Sequence, residues 1–296
     1  MELRPECYPC LERLVDLTAG LATEDAALQD QARQAAREII ARDFLPGAIP
    51  ACIANRYHHA IQEITGNRDP FASPKAAQSA YLARMWARIA PAYGQDLESL
   101  LMLAVLGNVI DFFRTEAEVH QDFLSPPAFG ICRLEDFRER LAGPPGLLLY
   151  LADNAGEQFF DRPLVEFLRG QGRRVLYVVK GGPIQNDLTR EDLYASGLGE
   201  ALEPVADTGA RTVGLELDRV SPEFRELYES ARIILAKGMG HFETMSRLDD
   251  PRIFFLLQAK CEPVARALGA PRGAFVFSRG GDHRPGGLGR QEKSNR

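Results

Sequence analysis

The chain has 296 residues, 45% of them hydrophobic and 26% charged, and a formal net charge of −6. That is the composition of a globular protein long enough for two domains, and the acidic balance argues against a broad nucleic-acid surface, which needs clustered Lys and Arg. No apolar run approaches the roughly 18–20 residues that span a bilayer, and "MELRPECYPC" has no apolar leader segment, so a cytoplasmic protein without a membrane partner is expected.

Up to residue 143 the pattern is helical. "CLERLVDLTAGLA" sets Leu11, Leu14, Val15 and Leu21 near one stripe, and "DQARQAAREIIARDF" repeats the 3.6-residue period. "LESLLMLAVLGNVIDFF" is apolar on nearly every side, as in a helix at the centre of a bundle. No strand pattern of comparable strength is visible in this half. His58 and His59 sit in a polar helical stretch and are expected at the surface.

"LAGPPG", at 141–146, brackets two prolines with glycines and marks a boundary. Beyond it, the apolar runs "LLLYLAD", "VLYVV", "RIILAKG" and "FFLLQAK" alternate with helical segments, which reads as a parallel sheet covered on both faces. "GAFVFS" could add an edge strand. The division expected is therefore an all-helical domain over 1–143 and a Rossmann-like three-layer α/β/α domain over 144–279. A tail from Gly280, nearly free of large apolar residues, is expected to be disordered.

Ligands of open parallel sheets bind at the carboxyl ends of the strands, and three such ends are unusually polar here. The first carries Asp153, Asn154 and Glu157. The second carries Lys180, Gly181, Gly182, Asn186 and Asp187, and the third Lys237, Gly238, Gly240, His241 and Glu243. Asp153, Asn154 and Asp187 would supply oxygen ligands to a divalent ion such as Mg²⁺ or Mn²⁺. Lys237, with glycine-flanked N–H groups, could hold an anion beside it. Each feature alone has a plainer explanation, since Asp-Asn after a strand commonly caps a helix and Gly commonly makes a turn. Asn108 and Asp111 lie three apart on an apolar helix, where they could face a cleft or simply pair within the bundle. The first turn, D-N-A-G-E, lacks the G-x-G-x-x-G of dinucleotide sites, and no P-loop is present.

"DNAGE", "VKGGPIQNDLT", "AKGMGHFET" and "LLQAKCEPVARALG", taken in order, closely resemble the metal-dependent damage-control phosphatases, with "CYPCL", "TGNRDPF" and "GNVIDF" similar to the archaeal and bacterial branch. The resemblance extends to about residue 278. It implies a helical domain on a Rossmann-like domain and a divalent cofactor (Mn, Mg, Ni or Co) held by Asp153, Asn154 and Asp187. It also implies phosphate or substrate contact by Lys237, Gly238, Gly240 and Glu243. Asn108, Asp111, Glu157, Lys180 and Asn186 complete the expected substrate site, with Asp153 and Lys237 as the catalytic pair. His241 departs from the family's usual Asn. The function expected is hydrolysis of small phosphorylated metabolites, with a carboxyl methyltransferase or a non-catalytic metabolite-binding regulator as alternatives; the oligomeric state is left open.

Five cysteines, at 7, 10, 52, 132 and 261, do not suggest a disulfide framework. Cys7 and Cys10 alone form a C-x-x-C, half of a zinc site at most; a role in packing or a labile disulfide is expected, outside the chemistry.

Overall fold

Residues 1–108 and 128–282 are described by a computed structural model. A 3₁₀ turn at Pro5–Cys7 leads into α1 (Tyr8–Ala22), followed by α2 (Ala26–Asp43), α3 (Pro50–Thr65), α4 (Ala72–Ile89) and α5 (Leu97–Gly107). Strand β1 (Phe129–Cys132) and α6 (Leu134–Ala142) come next. The rest alternates: β2 (Leu147–Leu151), α7 (Gln158–Gly170), β3 (Arg174–Val179), α8 (Arg190–Ala195), α9 (Gly199–Leu202), β4 (Val205–Asp207), α10 (Pro222–Ser230), β5 (Ala231–Lys237), α11 (Gly238–Met245), β6 (Ile253–Gln258), α12 (Glu262–Leu268) and β7 (Phe275–Arg279).

The seven strands lie in the order β1-β7-β6-β5-β2-β3-β4, and all neighbours are parallel except β6 and β7. The mixed, mainly parallel α/β architecture expected from the alternation is present. From β2 the chain winds outward through β3 to β4, then crosses back to β5 on the other side. The strand order therefore reverses between β2 and β5, the place where open α/β sheets form a ligand crevice.

The sheet is buried on both faces with period 2. Leu148, Tyr150, Phe254 and Leu256 face one core with Leu101, Leu103, Phe160 and Leu164. Leu149, Leu151, Phe255 and Leu257 face the other with Phe224, Phe242 and Leu268. The first core shows that α4 and α5 cover the sheet beside α7 and do not belong to a separate helical domain. A distinct core of Leu11, Val15, Ala32, Ile40, Ile53, Tyr57 and Ile61 joins α1, α2 and α3 alone.

Two further expectations need correction. The sheet begins before 143, because β1 pairs with β7 and makes β7 an interior strand. β1 is four residues long and alternates only half-buried with exposed positions, too weak a pattern to read. Disorder was expected from Gly280, but Gly280 and Asp282 are held in the fold. The Gly280 N–H donates to the Ile253 carbonyl at 2.8 Å, and Asp282 pairs with Arg133 at 2.9 Å. The remaining tail positions and Asp111 lie outside the described residues.

The three-helix unit is tied to the sheet by polar contacts. The Ala51 N–H donates to Glu243 Oε2 at 3.0 Å, and Asn55 both donates to Glu216 Oε1 (2.6 Å) and accepts from the Val213 N–H (2.8 Å). Glu6 pairs with Arg266 at 2.8 Å. A cleft of about 1180 Å³ lies between this unit and the strand ends.

Candidate active site

Register puts the first two polar strand ends side by side. Leu151 pairs with Val178 of β3 on one side and Ala236 of β5 on the other, so Asp153, Lys180 and Gly238 follow at equal distances along their chains. The loop after β3 then folds back. Leu188 N–H donates to the Asp153 carbonyl at 2.8 Å, Ala155 N–H donates to the Asn186 carbonyl at 2.8 Å, and Asn154 and Asp187 form an isolated bridge. Backbone hydrogen bonds thus hold all three expected metal ligands in one place, on the wall of the cleft.

Asp153 is fixed through one oxygen. Its Oδ2 accepts from Asn108 Nδ2 at 2.7 Å and from Asn154 Nδ2 at 2.9 Å. The same two amides also donate to Glu157 Oε1, at 2.9 and 2.7 Å. Gly238, at φ +79°, lets the β5 turn pass against this carboxylate, since a Cβ there would sit 1.9 Å from Asp153 Oδ2. Lys180 donates to the Gly214 carbonyl at 2.7 Å and lies 3.3 Å from Asp187 Oδ2.

Burial, with the Glu157 and Asp187 carboxylates beside it, pushes the Asp153 carboxyl well above the usual range. Burial likewise raises Asp187 to about 6, against the pull of Lys180. Burial also acts upward on Glu157, but the Lys237 ammonium and the hydrogen bonds from Lys237, Asn108 and Asn154 outweigh it and hold this carboxyl low. A cation bound beside these two carboxylates would offset their repulsion. The donor chemistry fits a divalent ion: Asp187 Oδ2 is buried without an aligned hydrogen bond, and Asn154, its nitrogen engaged, has its Oδ1 left to offer. Among the described residues no three His, Cys, Asp or Glu side chains are grouped to hold a metal. The amide oxygen, water and substrate would therefore complete the coordination.

The structure separates the other expected residues into two groups. Asn108, Asn186, Gly240 and Glu243 line the cleft with the acids. Glu157, Lys180 and Lys237 do not. Lys237 is 0% exposed, its ammonium 2.7 Å from Glu157 Oε2 and hydrogen-bonded to Asp161, which also accepts from the Tyr150 and Tyr177 hydroxyls at 2.8 and 2.7 Å. Lys237 does not line the cleft: its ammonium neutralises buried carboxylates behind Asp153. His241, in place of the family's Asn, is also buried, with Nδ1 at 2.6 Å from the Lys237 carbonyl and Nε2 at 3.2 Å from Lys180 Nζ; burial and Lys180 hold it well below the usual imidazole range.

Three features were missed in the sequence. Lys260, just past β6, lines the cleft and stabilises the charged form of Asp153. Its signal was available, because "LLQAK" is a fourth strand end followed by polar residues. Cys261 lies within electrostatic range of Cys7 and Cys10, and all three line the same cleft. No spacing rule reports that proximity. His58, expected at the surface, is buried against Phe71 and bonded to Gln185 at 2.7 Å.

The profile of the damage-control phosphatase ARMT1-like domain matches residues 3–276. The chain belongs to this family. It is 37% identical over 285 residues to a damage-control phosphatase of Pyrococcus horikoshii, covering 94% of this chain and 98% of that one. A damage-control phosphatase of Archaeoglobus fulgidus is 32% identical over 284 residues, covering 93% and 98%. The crystal structure of a DUF89 family protein from Pyrococcus horikoshii superimposes with a TM-score of 0.85 at 36% identity, covering 95% of this chain and 99% of the other.

Proposed function

We propose that this family member is a metal-dependent phosphatase acting on small phosphorylated metabolites. The observation that carries the reading is the backbone-locked group of Asp153, Asn154 and Asp187 on the wall of a large cleft, with Lys260 within electrostatic reach. The names of the relatives point the same way. A Mg²⁺, Mn²⁺, Ni²⁺ or Co²⁺ ion held by these three side chains would supply positive charge to a phosphoryl oxygen and acidify a bound water.

The rest of the work falls to the chain's own side chains. Asn108 and Asn154 pin Asp153 Oδ2, which presents its other oxygen in a set orientation. Lys260 replaces Lys237 as the cation that meets the phosphate and offsets charge developing on it. Lys180, Glu157 and Lys237 stay out of contact and keep the two carboxylates in place. The depth of the Asp153 and Asp187 side chains limits competing water.

The test is phosphate release from a panel of phosphorylated metabolites with and without each divalent ion. Metal-dependent release that Asp153→Ala and Asp187→Ala abolish in folded protein supports the reading. Lys260→Ala should retain metal binding and lower kcat/KM by on the order of 10²-fold. Full activity in either aspartate variant would remove these residues from the mechanism.

A further inference from the structure

The loop that carries Asn186 and Asp187 contains a strained residue. Gln185 takes φ +44° and is second in a tight turn, in which the Asp187 N–H donates to the Ile184 carbonyl at 3.1 Å. Turns with positive φ at this position favour glycine, and an L side chain keeps such a conformation only where its surroundings enforce it. Past the turn the backbone is held by hydrogen bonds. The Asn186 carbonyl accepts from the Ala155 N–H, and the Leu188 N–H donates to the Asp153 carbonyl, each at 2.8 Å. Gln185 is held through its side chain, whose Nε2 lies 2.7 Å from His58 Nε2.

The anchor comes from another part of the fold. His58 is on α3, buried with its ring centroid 4.6 Å from that of Tyr57 and 6.1 Å from that of Phe71. One helical turn further on, Gln62 Nε2 donates to the Pro183 carbonyl at 3.2 Å, so α3 grips the loop on both sides of Ile184. Tyr57 and Ile61 fix this stretch of α3 in the core it shares with α1 and α2. We propose that His58 is a positioning residue, which by accepting from Gln185 holds the turn in its strained form and so sets Asp187 beside Asn154. The three-helix unit, which supplies none of the three expected metal ligands, thereby shapes the place where they meet. The role of Asp187 as a ligand rests on the metal-dependent reading above, whereas the support of the turn does not.

Mn²⁺ titration calorimetry on four variants tests this. Gln185→Ala keeps a Cβ at the strained position and loses the anchor, while His58→Phe keeps a packed ring and loses the acceptor. Each should weaken Mn²⁺ binding by about tenfold. Gln185→Gly and the double variant His58→Phe/Gln185→Gly should stay within about threefold of native, because glycine takes positive φ without strain. A histidine that merely filled the core would not be rescued by a glycine in a loop. Native affinity in Gln185→Ala or in His58→Phe, or a loss that glycine does not restore, would overturn the proposal. Gln185 is half-buried, so its two variants decide the matter if His58→Phe does not fold. Amide hydrogen exchange at Leu188 in metal-stripped protein reads the turn without the ion, and should quicken about tenfold in Gln185→Ala but not in Gln185→Gly. If native protein binds no Mn²⁺ but the exchange pattern holds, the metal-dependent reading fails and the positioning role stands. If exchange at Leu188 is the same in all of them, the positioning role fails whatever the metal does.

Discussion

The Lys237 ammonium lies 2.7 Å from Glu157 Oε2, with both side chains closed from solvent. Glu157 in turn orders Asn108 and Asn154, and those amides order Asp153. The cation is thus linked to Asp153 on the wall of the cleft through Glu157 and the two amides, without touching it. Lys237→Met would leave Glu157 and Asp161 buried without their cation. The expected loss is about 3–5 kcal/mol, the usual consequence of removing one member of a buried pair. Denaturant unfolding measures it, and a loss below about 1 kcal/mol would show that the ion pair is not structural.

Asn108, the residue that follows α5, donates to both Asp153 and Glu157. Asn108→Ala removes two donors yet leaves every expected metal ligand in place. Divalent-ion affinity should fall by roughly 10–100-fold, as for other residues that orient ligands. Titration calorimetry with Mn²⁺ reads this directly, and native affinity in the variant would mean that Asn154 alone suffices to hold Asp153.

Gly238 tests how tightly the β5 turn is pressed on the same carboxylate. Its φ of +79° costs an L side chain on the order of 1–3 kcal/mol. The contact with Asp153 adds a clash that the pinned carboxylate cannot relieve by rotating. Gly238→Ala should therefore lower both the melting temperature and the metal affinity. An unchanged pair of values would show that the turn has another conformation available.

The grouping of Asp153, Asn154 and Asp187 was legible in the sequence because buried parallel strands are apolar runs, and their abrupt polar ends stand out. Which way a polar side chain turns at such an end was not legible. Lys237 and Lys260 both follow apolar strands, yet one closes over buried acids and the other lines the cleft. The apolar character of α5 marked it as buried, but it does not say whether the partner is a helix or a sheet. The same limit hid the third thiol: Cys261 is distant from Cys7 and Cys10 in the chain, and only the docking of α12 against the N-terminal turn brings them together.

His58 shows the opposite error, a polar residue in a polar stretch that the fold encloses. It is 1% exposed, its ring against Phe71 and its Nε2 accepting from Gln185 at 2.7 Å, on the loop that carries Asp187. Burial, with neighbouring His59 adding to it, lowers the imidazole to about 3. In the unfolded chain it would titrate near 6.5, so below that pH the unfolded state binds a proton that the folded state refuses. Stability is fully present above about 6.5 and declines as pH falls towards 3, by about 1.4 kcal/mol per unit. His58→Gln retains a polar partner for Gln185 but cannot titrate. Between pH 6.5 and 5 the native protein should lose about 2 kcal/mol more than this variant, since the other acids titrate alike in both. Urea unfolding at the two pH values measures the difference, and parallel losses would show that His58 becomes charged without unfolding the protein.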